Sequence, residues 1–283
     1  MQHSDLKHFS AHFWQISQTD TLNWAFHAGQ LAGNFSCIFA GAYRSALQAL
    51  VPDLPLGRWA AICVSEAAGN HPRMLKTCLS DGQISGEKTY ISMAELAAEL
   101  LVLCHTGEEN GRPALKLVRV PADSAGVSIE RLPSLGFLQG IPHGRCVFKQ
   151  TPVSPSQVLP GDGYEYSKRF RVLEDMHVQM ALLGHIHKSS MLYGLEESFS
   201  EAVLMLVYAL RGVYEQRTQA EAHLALAGIE KQLHTLFQAY VENAVLPAEY
   251  CAQMKLDSKL LGIARKAGEL RRQKAWEILR ALG

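Results

Sequence analysis

The stretch Ala60–Ser92, AAICVSEAAGNHPRMLKTCLSDGQISGEKTYIS, constrains the chain more than any other, because it sets strand-like runs, a glycine-bearing loop and two tight turns close together. Ala61 to Ser65 is a short apolar run of the kind that becomes a buried strand, and at Glu66 it opens into Ala67, Ala68, Gly69 and Asn70. Asp81-Gly82 and Ser85-Gly86 are turn dipeptides, after which β-branched and aromatic residues resume through Lys88, Thr89, Tyr90, Ile91 and Ser92. The spacing predicts a β-meander. A loop of Gly and Asn beside a strand end exposes backbone N–H groups suited to a phosphate or a flavin edge, although most such loops are simply turns.

A length of 283 residues suits two domains or three small units. The 27 basic and 27 acidic side chains balance, which gives no argument for a nucleic-acid partner or an anionic membrane. Six cysteines stand singly (Cys37, Cys63, Cys78, Cys104, Cys146, Cys251) without a CxxC pair, which favours a reduced cytoplasmic chain over a disulfide scaffold or a zinc site. The N-terminus shows no leader or anchor pattern, and no apolar run approaches a membrane span.

Cys63-Val64-Ser65-Glu66, the Gly69-Asn70 loop, Lys76-Thr77 and Gly86-Glu87-Lys88-Thr89-Tyr90-Ile91-Ser92 together resemble the start of the β-domain of the acyl-CoA dehydrogenases. That family reads C-x-T-E-P-x-A-G-S-D, then a Lys-Thr or similar pair, then G-x-K-x-W-I-T. The order continues through Leu115 to Val120, Ala125-Gly126-Val127, Leu135-Gly136, Cys146-Val147-Phe148 and Val153 to Gly163, so the resemblance runs over roughly Arg58 to Gly194. It implies an α+β chain: a short N-terminal helical segment (1–57), a small β-barrel-like flavin domain (58–163) and an antiparallel four-helix bundle (164–283). It also implies FAD, an acyl-CoA or similar thioester as substrate, electron-transfer flavoprotein as a possible acceptor, and a homo-oligomer.

The resemblance and the residues can then be read side by side. Ser65 and Ser92 stand where the family has flavin-touching threonines, and serine keeps the hydroxyl donor. Cys63 heads the same motif, and Tyr90 replaces a Trp near the flavin ring; core packing is the structural alternative for such a strand aromatic. Gly69 and Asn70 fall on the loop assigned to substrate or pyrophosphate, but A-G-S-D has become Ala68-Gly69-Asn70-His71, one residue closer to the glutamate and without its carboxylate.

On either side of this domain the pattern is helical. Phe9, Phe13, Trp24, Leu31, Phe35, Phe39 and Leu47 recur at helical spacing over Asp5 to Leu50, with a break near Thr19-Asp20, which predicts two or three short helices. Ala28, Ala32, Ala40 and Gly41 point to close helix packing rather than chemistry. In the resemblance this segment corresponds to the end of a longer domain that walls the acyl pocket. Val51–Gly57 is a Pro-rich connector, and Leu115–Val120 a strand. Met93 to Cys104 is Ala- and Leu-rich and reads as helix locally but as strand by the resemblance; sequence leaves both open. Beyond Tyr164 four helices are expected, Tyr166 to Tyr193, Ser198 to Glu215, Thr218 to Asn243 and Glu249 to Leu282, broken at Gly194 and Pro247.

The first of these helices carries Glu174, Asp175 and His177. Abstraction of a proton alpha to a thioester carbonyl needs a carboxylate base. Most family members place it near the far end of the bundle ahead of G-G-x-G, a motif this sequence lacks; a smaller branch places it on the first bundle helix in an L-E-R context followed by a glycine. Leu173-Glu174 and Gly184 match that spacing, which makes Glu174 the candidate base. Asp175 stands in place of the Arg, and pairing with Arg171 is the structural alternative. Ser190-Met191-Leu192-Tyr193-Gly194 keeps the aromatic and glycine of the family's R-x-x-F-G run but not the Arg that reaches FAD pyrophosphate. His185 and His187, two apart on a helix, do not share a face and make no metal pair. Arg265, Lys266, Arg271, Arg272 and Lys274 read as a solvated helix face. The altered loop, the missing Arg and the absent terminal motif leave a non-catalytic binding or assembly module, and a flavin monooxygenase on the same scaffold, as alternatives to a dehydrogenase.

Overall fold

The computed structural model describes residues 2–18 and 20–282, with side chains at all of these except 2–5, 263–267 and 282. Three helices open the chain, α1 (Gln2–Phe13), α2 (Thr21–Leu31) and α3 (Phe35–Leu50). Their starts are written in the sequence. The Asp20 carboxylate accepts from the N–H groups of Leu22 and Asn23, capping α2, and the Asn34 side chain accepts from Cys37 N–H at the head of α3. Thr19, half of the predicted break, lies outside the described residues. The aromatic side chains form the core here: Phe13 stacks on Trp24 at 4.7 Å, and the fully buried Arg44 guanidinium lies over the rings of Trp14 and Trp24 at 5.9 and 5.5 Å.

Seven strands follow: β1 (Trp59–Cys63), β2 (Cys78–Ser80), β3 (Gln83–Ser92), β4 (Ala97–Glu109), β5 (Arg112–Pro121), β6 (Val127–Arg131) and β7 (His143–Pro152). They form one sheet in the order β1-β4-β2-β3-β7-β6, with β5 on β4. The predicted meander is therefore corrected. β2 and β3 form a hairpin across Asp81-Gly82, but β1 does not pair into it as a third meander strand; its ladder is with β4, to which it runs parallel. Ser85-Gly86 is not a turn; it sits inside β3 at an irregularity of the β3–β7 ladder. A Cβ on Gly86, whose φ is +144°, would stand 2.5 Å from the Thr77 backbone, so the glycine is there for a close crossing.

The Met93–Cys104 ambiguity resolves as a short 3-10 turn, Ala94–Leu96, running into β4. Local helix propensity loses because β4 has strand partners on both edges, β1 and β2 on one and β5 on the other. Ala61, Cys63, Ile84, Leu100, Val102, Cys104, Val118, Cys146 and Phe148 make the sheet's core. Asp53 of the Pro-rich connector pairs with Arg119 on β5, which also pairs with Glu99 on β4.

Beyond the sheet lie α4 (Gly163–Tyr193), α5 (Glu197–Glu215), α6 (Ala220–Val241), α7 (Ala248–Asp257) and α8 (Lys259–Leu282). Gly194 and Pro247 mark breaks as expected, but the expected helix from Glu249 to Leu282 is two, divided at Ser258. Val203, Leu206 and Leu210 on α5 are buried, as are Leu226, Ile229, Leu233 and Phe237 on α6. The expected solvated basic face is half right: Arg272 and Lys274 are exposed, whereas Arg271 pairs with Asp175 on α4. The side chains of Arg265 and Lys266 lie outside the described residues. No described helix is long and apolar enough to cross a membrane.

The chain divides into two compact units: residues 47–171, which hold the sheet, and residues 1–46 with 172–283, which are helical. In the helical unit α2 and α4 meet through reciprocal glycines. A Cβ on Gly29 would stand 1.8 Å from the Ala181 carbonyl oxygen, and one on Gly184 2.0 Å from that of Phe26. Of the small residues read as close packing, Gly41 and Ala28 do meet, a Cβ on Gly41 standing 2.6 Å from that of Ala28, and Gly184, picked out for its distance from Glu174, has its contact with α2 as its physical reason.

Candidate functional site

In the sheet unit the candidate residues gather where β1 ends beside β3. β1 is wholly buried, and the chain leaves it at Val64 and Ser65, both half-buried. There the two segments join by a backbone hydrogen bond, Thr89 N–H to the Ser65 carbonyl at 2.9 Å. A buried ion pair backs this joint. Lys88, with no exposed surface, donates from Nζ to the Glu66 carboxylate at 2.8 Å and to the Val64 carbonyl at 3.2 Å. The other contacts of Glu66 are backbone: its two oxygens accept from Lys76 N–H at 2.8 Å and Thr77 N–H at 3.0 Å. Burial pushes the Glu66 carboxyl up, but the Lys88 hydrogen bond and the two backbone donors outweigh it and hold the group below its ordinary range.

The ladder slips between Lys88 and Ile91, and Tyr90 sits at that slip with φ +56°. In a regular strand Lys88 and Tyr90 would share a face. Here Lys88 is enclosed while Tyr90 is 64% exposed. An exposed aromatic side chain held in left-handed backbone is an outlier of the kind that bulges create beside functional sites. Ser92, half-buried, lies further along the strand opposite His143. The Thr89–Ser65 hydrogen bond thus sets Ser65 beside the residue before Tyr90, with Ser92 two residues on.

Cys63 points the other way. Its thiol is fully buried among Cys146 and Cys104, and burial pushes it well up; Cys104 is likewise pushed up to about 12. Cys63 and Cys104 are protonated core thiols, so Cys63 can offer a ligand only its backbone.

Gly69 and Asn70 lie on an exposed loop that closes on itself: Glu66 N–H donates to the Gly69 carbonyl and Gly69 N–H to that of Glu66. Two N–H groups of the loop are thereby spent internally and do not face a phosphate. Sequence reasoning placed the loop but missed the Glu66–Lys88 grip behind it. A lysine is rarely fully buried, and the available signal was its position between strand residues together with a glutamate at the end of β1.

In the helical unit, Glu174 is half-buried on α4, next to Asp175 and its Arg271 partner. His177 is structural. Its Nδ1–H donates to the Leu173 carbonyl at 2.6 Å, and its Nε2 accepts from the Thr21 hydroxyl at 3.0 Å. Burial pushes it down to about 4. His185 repeats this arrangement, donating to the Ala32 carbonyl and accepting from Tyr250, which in turn accepts from Tyr240 at 2.8 Å. It too is pushed down to about 4 by burial.

No family model and no curated protein matches the sequence. Solved structures do. Butyryl-CoA dehydrogenase from Megasphaera elsdenii is similar with a TM-score of 0.68 at 12% identity, over 90% of this chain and 81% of that one. The FAD complex of PigA is similar at 0.67 and 13%, over 100% and 90%. The prolyl acyl carrier protein oxidase AnaB is similar at 0.62 and 15%, over 96% and 88%. The chain has an acyl-CoA dehydrogenase-like fold.

Proposed function

We propose that this chain is an FAD-dependent oxidoreductase that oxidises the α,β bond of a thioester, on CoA or a similar carrier. The observation that supports this reading best is Tyr90: an exposed, strained aromatic at a bulge, next in sequence to Thr89, whose N–H bonds the Ser65 carbonyl, in a fold shared with FAD-complexed PigA. The residues gathered there fit the group. Ser65 and Ser92 supply hydroxyl donors for the polar edge of a flavin, Tyr90 supplies an aromatic face, and Cys63 contributes through its backbone. Bound FAD supplies a hydride acceptor. Glu174 is the base in this reading, its carboxylate taking the α proton that the thioester carbonyl acidifies. Gly69 and Asn70 border the substrate's phosphate-bearing end. A homo-oligomer and electron-transfer flavoprotein as acceptor, on the strength of the resemblance, and a cytoplasmic setting, from the single cysteines, complete the proposal.

A second reading has its own support. The closed 66–69 loop spends donors that a diphosphate would use, as expected of a binding or assembly module that has given up the cofactor.

The visible spectrum of the purified protein, before and after FAD and then a panel of acyl thioesters, separates the two. The dehydrogenase reading expects a flavin band that bleaches anaerobically with a thioester, and a bleaching rate at least about 100-fold lower in Glu174→Gln. A protein that takes up no flavin at excess FAD would leave the module.

A further inference from the structure

Lys88 and Glu66 do more than fill the sheet's interior. A buried ion pair is a poor route to stability, since well-packed apolar side chains of the same volume commonly do as well. What this pair has that Met and Leu would lack is reach. The Lys88 ammonium holds the Val64 carbonyl and the Glu66 carboxylate, one on each side of Ser65 along the chain. The same carboxylate draws in the N–H groups of Lys76 and Thr77. Thr77 then crosses against Gly86 and donates from its hydroxyl to the Glu87 carbonyl at 3.2 Å, immediately before Lys88. Next after Lys88, Thr89 donates to Ser65. The contacts close a ring around Ser65 and end at Thr89, the residue before Tyr90, whose left-handed backbone needs its surroundings to hold it.

We propose that Lys88 and Glu66 are a positioning pair: they hold Ser65 and Tyr90 in the arrangement that receives the flavin ring, an inference that rests on the flavin reading above. Neither residue touches the cofactor in this account. Both act through the backbone they grip, as a supporting shell does for a binding site.

Two measurements test it, one without FAD. In the apo protein, amide hydrogen exchange reads the grip directly. Lys88→Met should speed exchange at Lys76, Thr77 and Thr89 by at least about tenfold while leaving Leu101 and Val118, in the β4–β5 ladder, unchanged. Lys88→Met strands the Glu66 charge and can unfold the sheet, so the neutral pair Lys88→Met with Glu66→Gln serves beside it; it keeps the volume, leaves no buried charge and still lacks the Val64 contact. FAD titration by flavin fluorescence then reads the purpose. The neutral pair should weaken FAD binding at least about tenfold and alter the fine structure of the bound flavin's visible band. Unchanged exchange at the three amides would overturn the grip. Faster exchange with wild-type FAD affinity and spectrum would overturn the positioning role. A wild-type protein that binds no FAD while the neutral pair still loosens those amides would instead bring down the flavin reading, and the two failures are thus told apart.

Discussion

Tyr90 shows how much one residue can say. It is largely exposed, so it contributes little buried area, and its φ of +56° costs on the order of 1 kcal/mol or more. Tyr90→Gly should therefore leave the urea unfolding free energy within about 1 kcal/mol of wild type, because relief of the left-handed strain offsets the glycine's extra chain entropy. The same substitution should weaken FAD binding, a split that an ordinary core-packing tyrosine would not give. The sequence made Tyr90 a candidate by its place in a motif, but its strain was not legible there. Positive φ at a bulky residue arises from the β3–β7 register slip, and a register is a property of two strands. Lys88 was hidden for a related reason: a lysine in a strand reads as a solvent-facing residue until its partners at Glu66 and Val64 are known.

Elements were more legible than their neighbours. The helix start at Asp20 and the breaks at Gly194 and Pro247 follow from capping and breaking chemistry that acts over a few residues. β4 was ambiguous because its Ala- and Leu-rich sequence suits a helix, and only strand pairing on both edges decides against that. The α2–α4 crossing lies between these cases, since the glycines were visible and their opposite backbones were not. Gly184→Ala should destabilise the protein by at least about 2 kcal/mol in denaturant unfolding, because its Cβ would meet the Phe26 carbonyl oxygen at 2.0 Å and neither helix backbone can yield cheaply. Gly228, on α6, has open space around it, and Gly228→Ala should instead hold or raise stability by up to about 1 kcal/mol through helix propensity.

At the scale of the molecule, acid should act through two buried histidines before it acts through Glu66. His177 and His185 take up protons near 6.5 when unfolded but near 4 when folded. Between those values the unfolded chain binds protons the native one refuses, so stability is full above about 6.5 and falls as pH drops toward 4, by on the order of 3 kcal/mol per histidine. Glu66, held below its unfolded 4.5, adds its loss only below that value. Urea midpoints from pH 7 to 4 check this, and His185→Gln should flatten the slope across the upper window while leaving the loss below pH 4.5. The division of the chain also bears on the order in which structure can appear during synthesis. The sheet unit is one continuous stretch, 47–171, and every strand partner it needs has left the ribosome before α5 is made. The helices of residues 1–46 are made before the sheet, and Gly29 on α2 has no α4 backbone to pack on until Ala181 emerges. Phe9, Phe13 and Trp24 can stack on one another at once, but the α2 face that carries Phe26 and Gly29 spends the whole of the sheet's translation without its α4 neighbours, which makes that face a point of chaperone dependence in the nascent chain.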